Sequence, residues 1–362
     1  MTNYLTAVGV QQVSITIASG ATSNTAAISQ VGTGAFIVFQ GVNSSDTANL
    51  GDSNARIELT NTTTITAFRS ISGTSQTVVV NAVIIDGDAT NLIKSVQSGT
   101  VTFTTSSTTG TAAINPVTNA NTAIFFLGVE GSGSAIGVND NEFKSIVSLA
   151  TTTVTVTRNT ANLQVPTVGF IVVEFQGTAL NSSVQNVAYS ASTNATTDTS
   201  TISNVTTANT FLAYGGYTQA SNNAAQEQPY ISLTATNTIT YNWATSGTQN
   251  RKFNVCVVEF VSGVLAQAIQ RGTIALSAAT SNTATLTNSS PTASTFINWL
   301  GNSSNDTTLN PETSEYKITQ TSNTVLTMTA AASATGTGSY EAVQLTPYSA
   351  GGTRIFDMMP FF

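Results

Sequence analysis

The side chains available for chemistry in this chain are mostly carboxylates, hydroxyls and amides. The 362 residues include no histidine, a single cysteine, Cys256, and 17 acidic residues. The lack of histidine excludes Ser-His-Asp and Cys-His catalysis and histidine-ligated zinc. Carboxylate pairs could still act as they do in glycosidases, but no convincing pair is visible. We therefore expect a protein that is not an enzyme and needs no cofactor.

The acidic residues concentrate in four polar loops, which hold nine of the seventeen. The loops span Gln40–Arg56, Gly128–Lys144, Gly215–Pro229 and Gly301–Glu315. Loops on a rigid scaffold often bind ligands, and a weakly charged protein must also place its charges there to stay soluble; both interpretations stay open. Asp140 and Glu142 offer hard oxygen atoms to Ca²⁺ but lack EF-hand spacing, so they are weak candidates and no metal site is expected.

Three aromatic residues of the third quarter of the chain are candidates for surface binding. Exposed Tyr217, Tyr230 and Trp243 could stack on sugars or anchor a protein partner. The alternative is that they fill the core or a contact between domains.

The C-terminal segment differs from the rest of the chain. A Gly-Gly pair precedes six apolar residues: Ile355, Phe356, Met358, Met359, Phe361 and Phe362. A short apolar segment has no core of its own, so it should dock on another subunit or back onto a domain. We favour docking on another subunit and predict a homo-oligomer.

The overall charge limits the partners. The net charge is −7 without any basic run, so nucleic acid is not an expected partner. Hydrophobic residues make up 40% of the chain, which is enough to build cores. The N-terminus lacks the basic and apolar regions of a signal peptide, and no apolar run is long enough to cross a bilayer. These features predict a protein that has no membrane partner and is assembled inside a cell.

Two anchor positions show how the chain is organised. An opening glutamine recurs at intervals of 86, 88 and 85 residues, as Gln11, Gln97, Gln185 and Gln270. An apolar anchor follows each glutamine at intervals of 86, 88 and 84, as Ile28, Ile114, Ile202 and Leu286. Two anchors that keep step over three intervals indicate four copies of one unit.

Each copy has six or seven short strand-like segments and no helical periodicity. The sequence therefore predicts an all-β protein of four tandem antiparallel β-sandwich repeats of about 86 residues, joined by short links. The predicted segments are an N-terminal arm (1–9), repeats at 10–88, 94–177, 183–262 and 268–347, and a C-terminal docking tail (348–362). Pairs of repeats could also merge into larger sandwiches.

Two features recur at fixed places in the copies. A glycine follows the apolar third strand, as Gly41, Gly128, Gly215 and Gly301. The closing strand ends in Val-Val-Glu-Phe in the two middle copies, where the glutamates are Glu174 and Glu259. The first copy has Ile84 and the fourth Gln344 at this place, so a shared catalytic role for the glutamate is not expected.

The phrase Ile269-Gln-Arg-Gly-Thr-Ile274, a Thr/Ala/Ser-rich turn, the apolar anchor and the closing Val-Val-Glu-Phe together resemble a known repeat. It is similar to a repeat of tailed-bacteriophage virion proteins of the fibre, tail and capsid-decoration kinds, and the likeness extends from about Val10 to about Thr346. The resemblance implies a structural role on the outside of a virion, with other virion proteins as partners, assembly in the host cytoplasm and no catalysis. The alternative is an adhesion module that binds a host receptor or glycan through the acidic loops or the third-repeat aromatic residues.

Overall fold

The fold is that of a computed structural model, which describes residues 4–46, 53–70, 76–131, 143–161, 164–191, 195–218, 224–247, 251–307 and 310–347. Within these ranges the chain forms 22 strands, so the predicted all-β class with antiparallel sandwiches is confirmed. The threonine, valine, isoleucine and phenylalanine residues of these segments favour strands because β-branched and aromatic side chains fit a pleated surface. The two short α-helices in the described ranges are Ala224–Glu227 and Pro311–Ser314.

The strands fall into four successive units. Unit one contains β1 (Leu5–Ile17), β2 (Ser23–Ala27), β3 (Ala35–Ser44), β4 (Arg56–Asn61), β5 (Thr64–Phe68) and β6 (Val78–Gly87). Unit two contains β7 (Ile93–Thr102), β8 (Thr109–Ala113), β9 (Thr122–Glu130), β10 (Ser145–Leu149), β11 (Thr153–Arg158) and β12 (Thr167–Phe175). Unit three contains β13 (Gln185–Ala191), β14 (Thr197–Thr201), β15 (Thr210–Thr218), β16 (Tyr230–Ala235), β17 (Thr238–Asn242) and β18 (Arg251–Glu259). Unit four contains β19 (Gln270–Thr285), β20 (Thr295–Ser304), β21 (Lys317–Ser322) and β22 (Val325–Gln344).

The first three units share one antiparallel pairing pattern. The first, last and third strands form one sheet, as in β1-β6-β3, and the second, fifth and fourth strands form the other, as in β2-β5-β4. Units two and three repeat this order. In unit four, β19 and β22 run through both sheets and pair with each other along both halves. A register shift between Leu276 and Ala279, where Ala278 has a φ of 48°, interrupts this long pairing.

The sheets continue across the borders between units. The fourth strand of each of the first three units pairs with the third strand of the next unit: β4 with β9, β10 with β15 and β16 with β20. The equivalent strand of unit four, β21, pairs with β3 of unit one. The four units therefore close into a ring within one chain, and their sheets merge. We call the line about which they close the ring axis.

A glycine with positive φ stands at each junction between units. The paired residues are Arg56 with Gly128, Ile146 with Gly216, Tyr230 with Gly301 and Lys317 with Gly41. These four glycines have φ values from 83° to 97°, and a Cβ on them would lie 2.2–2.5 Å from a carbonyl oxygen of the neighbouring unit. Only glycine tolerates both conditions. The junction of units two and three uses Gly216 instead of the expected Gly215, because Gly216 is the residue opposite Ile146.

Phenylalanine side chains from the third strands meet on the ring axis. Their ring centres are 5.9 Å apart for Phe36 and Phe125, 6.3 Å for Phe125 and Phe211, 5.7 Å for Phe211 and Phe296, and 6.4 Å for Phe296 and Phe36. We call this closed cycle the phenylalanine quartet. In unit two the position that corresponds to Phe36 holds Ala123, and Phe125, two residues further along the same strand face, occupies the axis instead. The quartet belongs to a core cluster with residues from all four units.

Each opening glutamine clamps the backbone 18 residues later. Gln11 Nε2 donates to Ser29 O over 3.1 Å, and its Oε1 accepts from the Ser29 N–H over 2.7 Å. The same pair of bonds joins Gln97 to Asn115, Gln185 to Ser203 and Gln270 to Asn288. The glutamine recurs in the sequence because its amide imitates a backbone pairing partner for the segment after the second strand.

Replacing Gly128 by alanine is expected to destabilise the protein more than replacing Gly263. Gly128→Ala combines an unfavourable φ, worth about 1–3 kcal/mol, with a clash against Ala55 O, worth about 1–3 kcal/mol more. Gly263 has a similar φ of 96°, but a Cβ there meets nothing within 4 Å. Gly263→Ala should therefore be destabilised by the unfavourable φ alone. Calorimetric unfolding of both variants measures the difference, and equal losses of stability would show that the junction does not hold the ring together.

Candidate functional site

Four polar side chains converge on the ring axis where the acidic loops end. Each lies two residues before the strand residue that pairs with a junction glycine: Asn54, Lys144, Gln228 and Glu315. We call them the polar tetrad. Their exposed fractions are between 2% and 9%. They are brought together because each junction holds the start of a fourth strand against the third strand of the next unit.

Lys144 is the centre of the polar tetrad. Its Nζ donates to Oε1 of Glu315 and to Oδ1 of Asn54, the latter over 3.5 Å. Gln228 Nε2 donates to the same Glu315 oxygen over 3.4 Å, and Asn302 Nδ2 donates to Gln228 Oε1 over 3.4 Å. One hydrogen-bond network therefore connects side chains of all four units.

Aromatic side chains surround the polar tetrad. The residue two positions before each junction glycine is aromatic: Phe39, Phe126, Tyr214 and Trp299. These four residues, which we call the aromatic collar, line a cavity of about 60 Å³ together with Asn54, Lys144, Tyr217 and Glu315. A cavity of this size has room for a few water molecules. Its largely apolar walls strengthen the electrostatic interactions inside it.

Burial separates the Lys144–Glu315 pair from an ordinary surface ion pair. The side chains of Lys144 and Glu315 are 9% and 12% exposed, whereas Lys94, which pairs with Glu174, has a side chain that is 50% exposed. Removing one partner of a buried pair typically costs about 3–5 kcal/mol, against about 0–1 kcal/mol for a surface pair. The tetrad therefore holds an amine, a carboxylate and two amides in a site with little water.

The closing-strand carboxylates lie at the opposite ends of the third strands from the junction glycines. The residues in the same register, each opposite the first residue of a third strand, are Asp86, Glu174, Glu259 and Gln344. The assignment of Ile84 to this position from the sequence is therefore wrong. The sequence assignment aligned the copies on the Val-Val phrase and overlooked that β6 continues beyond Ile84 to Asp86, in register with β3. Three of the four units carry a buried carboxylate here.

Hydrogen bonds lower the pKa of two of these carboxylates, Glu174 and Glu259. The donors to Glu174 are Lys94 Nζ, the Thr118 N–H and Ser95 Oγ. Burial alone would raise the pKa of Glu174, but these bonds outweigh it, and the pKa lies below its ordinary value. The pKa of Glu259 is lowered in the same way, with burial opposed by bonds from the Thr206 N–H and Ser182 Oγ. Both carboxylates fix the loop that leads into a third strand, which is a structural task.

Several acidic residues of the four loops also have partners within the protein. Glu130 Oε2 accepts from Arg56 Nε over 2.8 Å across the junction of units one and two. Asp306 Oδ2 accepts from the Asn310 N–H over 3.2 Å. Glu315 belongs to the polar tetrad. The weak calcium candidates Asp140 and Glu142 lie outside the described residues.

The three candidate binding aromatics have different surroundings. Tyr217 lines the axial cavity. Trp243 is 5% exposed and packs on Phe253, and the Arg251 guanidinium lies 4.3 Å from its ring centre, which fits the core interpretation. Tyr230 is half-buried, burial raises its pKa, and it shares a surface recess with Trp243. The structure therefore does not gather the three side chains into one binding surface.

The remaining sequence candidates add no second site. Cys256 is fully buried, and burial raises the pKa of its thiol to about 12, so it stays protonated at neutral pH. Within the described ranges, no cluster of three or more Cys, Asp or Glu side chains could hold a metal ion. The six apolar tail candidates lie outside the described residues: Ile355, Phe356, Met358, Met359, Phe361 and Phe362.

No family model and no curated protein matches the chain. In the part of the chain that the structure describes, no helix has the length and hydropathy needed to traverse a bilayer.

The polar tetrad is the feature that sequence reasoning missed. The signal was available, because a polar residue stands two positions before the fourth-strand residue that faces a junction glycine in all four copies, as Asn54, Lys144, Gln228 and Glu315. Finding it requires aligning the copies on their fourth strands, and knowing that these strands meet at one axis.

Acidification is expected to destabilise the protein partly through Glu259. A carboxylate whose pKa is lowered by folding contributes stability above its unfolded pKa, about 4.3, and loses it as pH falls through the folded pKa. Glu259→Gln should therefore lower the free energy of unfolding at neutral pH by about 1–3 kcal/mol and flatten its decline toward low pH. Urea unfolding at about pH 7 and about pH 3 measures both effects, with Glu58→Gln, at a side chain that is 39% exposed, as the control. A decline as steep as in the wild type would contradict the role of Glu259.

Proposed function

We propose that this chain is a non-enzymatic structural protein of a bacteriophage virion, carried on the outside of the particle as a capsid decoration or as a tail or fibre component. The observation that carries the proposal is the closed ring of four β units. Its buried carboxylates accept hydrogen bonds from within the protein. Such a ring is a rigid block, which suits a particle surface. The likeness of its opening and closing phrases to those of tailed-phage virion proteins supports the same role.

The proposed partners are other virion proteins and further copies of this chain. Both ends of the described chain lie at the end of the ring that carries the closing-strand carboxylates. Leu5 pairs with Gly87 at the end of β6, and the Leu345 N–H donates to Ser294 O just before β20 begins. The described chain stops at Pro347, at this end of the ring. The polar tetrad lies at the opposite end of the third strands.

Deleting Arg354–Phe362 is expected to convert homo-oligomers to monomers and to weaken co-assembly with capsid or tail proteins, because it removes the apolar docking segment. Size-exclusion chromatography with light scattering measures the mass of the assembly. A variant with serine at the six apolar tail positions keeps the length and should dissociate as well. Unchanged assembly of the deleted protein would overturn the docking role of the tail.

A second candidate function, adhesion to a host receptor or glycan, is favoured by one observation. Tyr230 is half-buried beside a surface recess that Trp243 and Leu276 also line, and aromatic faces can stack on sugars. A glycan array with the purified protein distinguishes the two functions. Binding that Tyr230→Ala abolishes would support adhesion, whereas co-assembly with virion proteins and no glycan binding would support the structural role.

A further inference from the structure

The polar tetrad brings an electrophile and a proton carrier into contact with one nucleophile, the Lys144 amine. Lys144 Nζ lies 3.5 Å from Oδ1 of Asn54, the oxygen bonded to the amide carbon Cγ, and it donates directly to Oε1 of Glu315. A neutral amine can attack an amide carbon, and a carboxyl group that touches the amine can carry protons between the two nitrogen atoms. We propose that Lys144 and Asn54 become joined by an intramolecular isopeptide bond, with Glu315 as the catalytic residue.

The reaction balances without an oxidant or a further reactant. Proton transfer from Lys144 Nζ to Glu315 leaves a neutral amine and a carboxylic acid. The amine attacks Asn54 Cγ, so that the Nζ–Cγ bond forms and the Cγ–Nδ2 bond breaks. Glu315 gives its proton to Nδ2 and regains one from Nζ. Nδ2 leaves as ammonia.

The surroundings of the three side chains favour this chemistry. Asn54, Lys144 and Glu315 are 5%, 7% and 9% exposed, and the aromatic collar lines the cavity beside them. Exclusion of water from the site also prevents side reactions such as hydrolysis of the reacting amide. Holding reactants in contact also replaces an encounter in solution, which accelerates amide formation strongly.

A second lysine–carboxylate pair in the same chain provides a matched comparison. Lys94 Nζ donates to Oε1 of Glu174 over 2.8 Å, and the other described donors to Glu174 are Ser95 and Thr118. That contact set offers no side-chain amide as a target, and the Lys94 side chain is half exposed. The Lys144 site therefore differs from the Lys94 site in the two properties that the reaction needs.

The bond would join the acidic loop of unit one to the residue that precedes β10 in unit two. It follows from the geometry of the polar tetrad and is independent of the proposed virion function. Its presence would fix one side of the ring axis covalently. The other three junctions between units would remain non-covalent.

Mass spectrometry of the intact, denatured protein tests the proposal. The expected wild-type mass, allowing for removal of Met1, is lower than the sequence mass by one ammonia molecule. Proteolysis should then release a branched peptide that joins the segments of Asn54 and Lys144. Lys144→Arg and Glu315→Gln should have their full sequence masses, whereas Lys94→Arg should keep the deficit.

Two results would overturn the proposal. One is a wild-type protein of full sequence mass. The other is a deficit that persists in Lys144→Arg, which would place the loss of ammonia at an unrelated asparagine or glutamine. Circular dichroism of Glu315→Gln shows whether that variant folds, and the wild-type mass decides the question even if it does not.

Discussion

The closure of the ring depends on a steric constraint at four glycines. At each junction a carbonyl oxygen of one unit approaches the backbone of the next unit so closely that a Cβ would meet it at 2.2–2.5 Å. This approach is what allows a fourth strand to extend the sheet of the neighbouring unit. It also draws the four third strands around one axis, where the phenylalanine quartet loses contact with water. The aromatic collar and the polar tetrad are then fixed by their distances from the same glycines along the chain.

Several of the few charges of this chain lie where units meet. Arg56 and Glu130 connect units one and two at 2.8 Å. Glu341, which is fully buried in unit four, accepts from Arg271 Nε and also from the Leu212 N–H of unit three. Buried pairs of this kind contribute little net stability, since removing charges from water is unfavourable, but an incorrect register would leave them unpaired. In a ring made of similar strands, they distinguish the correct junctions from shifted ones.

Local patterns in the sequence were sufficient for the β class, because alternation of apolar and polar residues reports which strand face is buried. The opening glutamines were also visible in the sequence, because each one bonds the backbone 18 residues later and is therefore repeated in every unit. Ring closure was not visible, because it depends on one residue pair per junction and on the φ of glycines such as Gly216. Matching short sequence phrases also could not determine the strand register, since it selected Ile84 where the strand pairing places Asp86. The polar tetrad could be recognised only after ring closure and strand register had been established.

Encoding four similar units in one polypeptide has a consequence for the ring axis. Four identical chains around the same axis would place four copies of one side chain at each level, as rotational symmetry requires. Four lysines or four glutamates in such a small volume would repel one another strongly. Covalent linkage frees each position to vary alone, so Asn54, Lys144, Gln228 and Glu315 together carry no net formal charge. For the same reason, unit two can have Ala123 at the position of Phe36 and use Phe125 for the phenylalanine quartet, while the other three units keep their own arrangement. The molecule thus has the closure of a homotetramer and a centre that a homotetramer could not build.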